Sequence, residues 1–321
     1  MGVLETIDEG VRGLGNCLLQ AYGNWRAERY DVGETIVVAC TGRGGSTWLA
    51  QIIASLPRHH LLWEQLHWRT NPECQDYGFG EPLYLTEHRA SFRHEQYVRK
   101  ILSGRTLPSA INTSQYFRPW KLIWLRAYVA KLVTANMMLP WMVQTFGVRA
   151  VFMVRHPCAV VSSQLRHGAW DEVEKQFCNH PELFEEYPHL GTVYEGIRSK
   201  EEILAFNWAV QNFVPLVHSE PRPWITTTYE VLIDEGMTEV ERIFKELGEK
   251  VPRNAKAKLR SPSETASANL SSSSEESQLK KWKRHLSESQ IDRILRIVQA
   301  VGIRGYSERI YPDGALSAVV D

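Results

Sequence analysis

The apolar positions fall into short β-branched runs separated by segments of helical period. Residues 35–40 (TIVVAC) form a compact apolar run closed by glycines, which predicts a buried strand. Directly after the glycines, residues 48–56 predict a helix stopped by Pro57. Residues 61–66 read as a second strand with Glu64 near its end. Residues 70–86 read as loop, and residues 87–102 as a charged helix closed by Ser103-Gly104. A strand over 127–131 leads into a helix over 136–146, then a strand over 149–154 (RAVFMV) into a helix over 157–166. The pattern continues with a long helix over 200–218, a strand over 224–228, and helices over 238–247 and 288–301. Strands alternating with helices predict an α/β fold with a central, mainly parallel sheet flanked by helices.

No repeat and no internal boundary divides the pattern, so the chain reads as one domain over 35–321 behind a helical N-terminal extension over 1–34. Residues 3–30 have amphipathic helical period, and residues 261–278 are serine-rich, a composition expected of a flexible loop.

Composition narrows the function. Lys plus Arg and Asp plus Glu both number 37, and this neutral balance argues against a nucleic-acid partner. The 11 Trp suit a ring-lined site and a large core equally. Cys17, Cys40, Cys74, Cys158 and Cys178 are odd in number and widely spaced, so neither a disulfide framework nor a metal site is expected. With no signal-type apolar segment and no run of about 18 apolar residues, the reading is a cytoplasmic chain without a membrane span. Met1-Gly2 through Thr6 does match the permissive myristoylation pattern.

Two segments carry candidate chemistry. In Thr41-Gly-Arg43-Gly44-Gly45-Ser46-Thr47-Trp48, the glycines allow tight turns whose N–H groups converge on one anion. Ser46 and Thr47 add hydroxyls and are expected to cap the following helix, and Arg43 adds a permanent charge. The layout is a P-loop-like strand–loop–helix, yet a plain strand-to-helix turn favours the same residues. A Walker loop needs Lys after its last glycine; Ser46 follows Gly45 here, which weakens a kinase reading. The second segment places Arg155 at the end of a strand, where open α/β sheets bind ligands, with Ser163 eight residues on. Arg155 and Ser163 together make a modest second anion clamp.

Two separate anion sites suit a nucleotide phosphorylated at both ends, and at this point the sequence resembles the PAPS-dependent sulfotransferases. Arg43-Gly-Gly-Ser-Thr-Trp48 resembles their 5′-phosphosulfate loop, and Arg155-His-Pro…Ser163 their 3′-phosphate element with the same spacing. Thr228-Tyr229-Glu230-Val-Leu232 and Lys281-Trp282-Lys283 resemble two later nucleotide segments. The resemblance implies that PAPS is the co-substrate and 3′,5′-ADP the product, with no metal. It assigns Arg43, Gly44, Gly45, Ser46, Thr47, Trp48, Arg155, Ser163, Tyr229 and Trp282 to the nucleotide. For Trp48 and Tyr229 core packing stays open as the alternative. Gly44 stands where the loop usually carries Ser or Ala, and the Arg-x-Gly that usually precedes the C-terminal Trp is missing. Arg260 is the substitute the sequence offers.

For chemistry, the resemblance points to Arg43 on the leaving group and to Lys131, at a strand end, on the sulfuryl group. The Lys-x-His of phenol and steroid enzymes is missing, since Val133 holds its third position. Trp63-Glu64-Gln-Leu-His67 instead resembles the segment that supplies a Glu base in carbohydrate and lipid enzymes. Glu64 is therefore the expected base and His67 its backup, closer to the carbohydrate and bacterial branch. The acceptor is expected to be a hydroxyl, with an amine as the second choice, of a small metabolite, glycan or lipid-like molecule, with residues 116–141 lining an apolar pocket or simply the core. A P-loop-type kinase and a nucleotide-binding module without catalysis are the competing readings.

Overall fold

A computed structural model describes residues 21–22, 24–106, 124–261 and 279–320. The expectations for Gly2, for most of the 3–30 helical stretch, for residues 116–123 and for serine-rich residues 262–278 lie outside the described residues.

Five strands build the central sheet: β1 (Ile36–Ala39), β2 (His59–Trp63), β3 (Ala127–Leu132), β4 (Arg149–Val154) and β5 (Ile225–Thr228). All pair in parallel, in the order β2-β3-β1-β4-β5. β1 is thus central, and the chain leaves it first toward one edge and later toward the other. The carboxyl ends of all five strands face one crevice, the place where such sheets bind ligands.

Both sheet faces are covered, which explains the unbroken apolar runs. Ile36, Val38, Val129, Val151 and Met153 face a core shared with helix α1 (Ser46–Ile53). Val37, Ala39, Tyr128, Ala130, Phe152 and Val154 face the opposite core. That second core includes residues of α2 (Phe92–Leu102), α3 (Leu139–Phe146), α4 (Pro157–Leu165), α5 (Pro181–Glu186), α6 (Pro188–Gly196) and α7 (Lys200–Val217). On the α1 side lie α8 (Tyr229–Asp234), α9 (Met237–Glu246) and α10 (Ala255–Arg260). The chain closes with α11 (Trp282–His285), α12 (Glu288–Ala300) and the antiparallel pair β6 (Ile303–Arg304) and β7 (Ser317–Ala318). α4 packs against α7, α11 and α12, so the helix that carries Ser163 is braced on three sides.

Differences from the sequence reading have local causes. The 61–66 strand sits at His59–Trp63, leaving Glu64 as the first residue beyond it. The charged helix begins only at Phe92, because Ser91 and His94 form a capping box. α1 begins at Ser46 rather than 48, because Gly45 at φ 100° is its N-cap and makes no side-chain cap bond. Ser46 and Thr47 therefore do not cap the helix; they are its first two residues. α5 and α6 were not anticipated: each opens on a proline at its first position, where proline is preorganised for a helix start. No helix among the described residues is long and apolar enough to cross a membrane, and no group of three or more metal-ligating side chains occurs among them.

Candidate active site

The five strand ends deliver the candidate residues to one crevice. β1 runs into the loop Thr41–Gly45, β2 is followed by Glu64, β3 carries Lys131, β4 is followed by Arg155 and β5 by Tyr229.

Arg43 is held in the left-handed region at φ 71°, a conformation that costs a non-glycine residue about 1–3 kcal/mol. The backbone turn aims the side chain at α4, where Nε–H donates to Ser163 Oγ at 3.0 Å. Arg155 donates from Nη1 to the Arg43 carbonyl at 3.1 Å, and Gln164 donates from Nε2 to the Gly42 carbonyl at 3.1 Å. The two segments singled out in the sequence, 120 residues apart, are therefore joined by direct hydrogen bonds. Burial, followed by repulsion from Arg155 and Arg166, lowers the pKa of the Arg43 guanidinium from its usual value.

Aromatic rings continue the row. The Arg155 guanidinium carbon lies 4.1 Å from the centroid of the Tyr229 ring, and that ring lies 5.7 Å from the ring of Trp48. A Cβ on Gly45 would stand 2.5 Å from Tyr229 Cδ2, so the ring rests on bare loop backbone and Gly45 has no room for a side chain. Trp48 is only 8% exposed, and its Nε1–H is shared between the carbonyls of Lys258 and Leu259 in α10. Arg260 is exposed at the end of α10, the helix that supplies those two carbonyls. Trp282 is 2% exposed and stacks on His156 at 4.7 Å, within the core between α4, α7 and α12.

The departure at Gly44 has a packing reason. A Cβ there would meet Cys40 Sγ at 2.2 Å and the Thr41 carbonyl at 2.9 Å. The thiol fills the space that a side chain at 44 would take, and burial pushes it up to about 12, so it packs as a neutral group. Gly44→Ala is expected to destabilise the fold by about 1–3 kcal/mol through overpacking. Adding Cys40→Ala should return part of that loss, a non-additivity that a double-mutant cycle by urea unfolding measures. Additive losses would show that the two residues do not share this space.

On the other side of β1, Glu64 and Lys131 form a buried ion pair from Glu64 Oε1 to Lys131 Nζ, with the residues 7% and 4% exposed. Glu64 Oε2 accepts the Val133 amide at 2.9 Å, and Lys131 Nζ stands 3.9 Å from the centroid of the Trp63 ring. Glu64 also has positive φ, at 45°. Arg43, Arg58 and Glu64 are the non-glycine residues at positive φ among those described, and two of these three are candidate catalytic groups. His67 Nδ1 accepts the Arg69 amide at 3.2 Å, so a neutral imidazole carries its proton on Nε2 and has no free lone pair for base work. Burial, the largest influence on His67, lowers its pKa.

Several residues of the crevice lay outside the sequence assignment. Glu230 Oε1 accepts the His156 amide at 2.9 Å, tying the start of α8 to the Arg155 turn, and burial raises its carboxyl to about 7. Arg166 lies one helical turn beyond Ser163, a spacing that was available as a signal.

No family profile matches the chain, and no curated protein matches it. Among solved structures it is similar to the sulfotransferase domain from the curacin biosynthetic pathway: 18% identity, 83% of this chain and 96% of that one, TM-score 0.44. It is also similar to the sulfotransferase domain from the Synechococcus PCC 7002 olefin synthase: 16% identity, 86% and 96% coverage, TM-score 0.44. A third is mouse sulfotransferase SULT7A1 complexed with PAP: 14% identity, 83% of each chain, TM-score 0.40. What the site can bind rests on its own residues: a glycine loop joined through Arg43 to the element that carries Arg155 and Ser163, beside a buried carboxylate–ammonium pair.

Proposed function

We propose that the chain is a sulfotransferase that passes the sulfuryl group of PAPS to a hydroxyl of a small metabolite, glycan or lipid-like acceptor. The observation that carries this reading is the 3.0 Å hydrogen bond from Arg43 Nε to Ser163 Oγ. It puts the glycine loop and the Arg155–Ser163 element side by side, and a nucleotide with a 5′-phosphosulfate and a 3′-phosphate needs two adjacent anion sites. A kinase reading lacks its lysine, since Ser46 follows Gly45.

Transfer is an in-line displacement. The acceptor oxygen attacks sulfur, the bond from sulfur to the bridging oxygen breaks, and its electron pair leaves with 3′,5′-ADP. Arg43 and the loop amides meet the charge that develops on that leaving oxygen, where preset donors act most strongly. The acceptor proton goes to Glu64. Both Glu64 oxygens have donors, Lys131 and the Val133 amide. An anionic sulfuryl group attracts Lys131, and Lys131's departure frees one oxygen of Glu64 for the proton. Tyr229 and the edge of Trp48 flank the base of the nucleotide.

Isothermal titration tests the donor assignment. The expected result is that 3′,5′-ADP binds at least about tenfold more tightly than ATP, a difference of about 1.4 kcal/mol. Tighter ATP binding sinks the reading. Release of labelled sulfate from PAPS then separates an enzyme from an inert binding module.

A further inference from the structure

The missing Arg-x-Gly leaves open which groups hold the second phosphate of the nucleotide, and the fold places a basic cluster where that phosphate is expected. Ser163 and Arg166 are three residues apart at the end of α4 and share a face. Arg166 Nη1–H donates to His285 Nε2 at 3.0 Å, which fixes that imidazole as a neutral acceptor and holds the guanidinium in place. Lys281 precedes α11, four residues from His285, and its neighbour Trp282 stacks on His156, the residue after Arg155. The packing of α11 on α4 therefore brings Lys281 within electrostatic reach of Arg166 and Arg155, and both arginines act likewise on Arg43, whose Nε–H bonds Ser163.

These like charges act on one another. Arg155 and Arg166 both lower the pKa of Arg43, and after burial Arg166, Arg284 and Arg155 lower that of Lys281. Among the described residues, no carboxylate forms an ion pair with Arg43, Arg155, Arg166 or Lys281. Arg155 Nε is moreover buried without a hydrogen-bond partner. Glu230, whose charge reaches Arg155, is itself buried and occupied by the His156 amide. A cluster of like charges without a paired carboxylate among the described residues is the arrangement a dianionic ligand completes. Arg260, by contrast, is exposed at the end of the helix whose carbonyls accept the Trp48 indole N–H.

We infer that Arg166 and Lys281, outside both recognised anion elements, bind the 3′-phosphomonoester of the nucleotide together with Arg155 and Ser163, in the place the sequence offered to Arg260. His285 is a positioning residue for Arg166. The assignment rests on the proposed use of PAPS, and the test separates the two.

The probes are 3′,5′-ADP and 5′-AMP, which differ only in the 3′-phosphate, titrated into the wild type and into Arg166→Gln, Lys281→Gln and Arg260→Gln. Arg166 is exposed and Lys281 half-buried, and thermal unfolding of each variant verifies that it is folded. The expected result is that Arg166→Gln and Lys281→Gln each weaken 3′,5′-ADP by about tenfold or more, the size of one charge-assisted contact. Their 5′-AMP affinity, and both affinities of Arg260→Gln, stay at wild-type values. A wild type that prefers 3′,5′-ADP, with that preference intact in Arg166→Gln and Lys281→Gln, overturns this assignment and leaves the proposed function standing. Equal losses for both probes in those variants also overturn it. A wild type indifferent to the 3′-phosphate overturns the proposed function, and this assignment with it.

Discussion

Arg43→Ala is expected to lower sulfuryl transfer from PAPS by about 10²–10³-fold, the effect of removing one preset donor from a developing oxyanion. Arg43 is already turned toward the crevice by its left-handed backbone and held there by Ser163, so little reorganisation precedes the reaction. Alanine at the same φ bears the same backbone strain, so the loss belongs to the guanidinium rather than to the turn. Arg43→Lys restores the charge without the Nε–H that reaches Ser163, and part of the rate should return with it. The measurement is single-turnover release of labelled sulfate with nucleotide saturating, which separates chemistry from binding. Unchanged turnover in Arg43→Ala would remove Arg43 from the mechanism.

The second large effect is one of stability. Lys131→Met leaves the Glu64 carboxylate buried beside Val133 without its counter-charge, and removal of one member of a buried pair costs about 3–5 kcal/mol. Glu64→Gln combined with Lys131→Met removes both charges and should recover most of that loss, because a charge-free pair has no buried ion to solvate. Urea unfolding of the single and double variants measures this. The double variant is the informative enzyme: it is expected to fold, to bind 3′,5′-ADP as the wild type does, and to transfer no sulfuryl group. Normal turnover in that folded protein would make the pair purely structural and remove Glu64 as the base. A double variant no more stable than Lys131→Met would instead show that Lys131 contributes through its packing on the Trp63 ring.

Much of the scaffold was readable from residue pattern. β4 falls at residues 149–154 as read from RAVFMV, and β1, β3 and β5 lie within a residue or two of their predicted spans. These strands are buried on both faces, so hydrophobic continuity marks them without help from the rest of the chain. Elements whose existence depends on a packing partner were less legible. α8 begins at Tyr229 because the Thr228 side chain accepts the Val231 amide, and α11 is one turn long and lies against α4. The site follows the same division. Arg43, Arg155 and Ser163 were identified by type and spacing, and the fold brings them into contact. Trp282 matched a motif as well, and the fold places its ring on His156, a contact that motif identity does not report.

The sequence by itself determined an α/β sheet with a glycine loop bearing Arg43 after its first strand, a second arginine after the fourth, and carboxylate and lysine candidates at the ends of the second and third. Those features are local: each depends on a few adjacent residues and their backbone preferences. Only the tertiary structure decided that Lys131 and Glu64 pair and that Cys40 takes the space beside Gly44. It also decided that Arg166 bonds His285 and that Trp282, next to Lys281, stacks on His156, the residue after Arg155. Each of these is a contact between residues far apart in the chain, set by strand order and by how helices pack across the sheet, and short-range pattern carries no information about such distances.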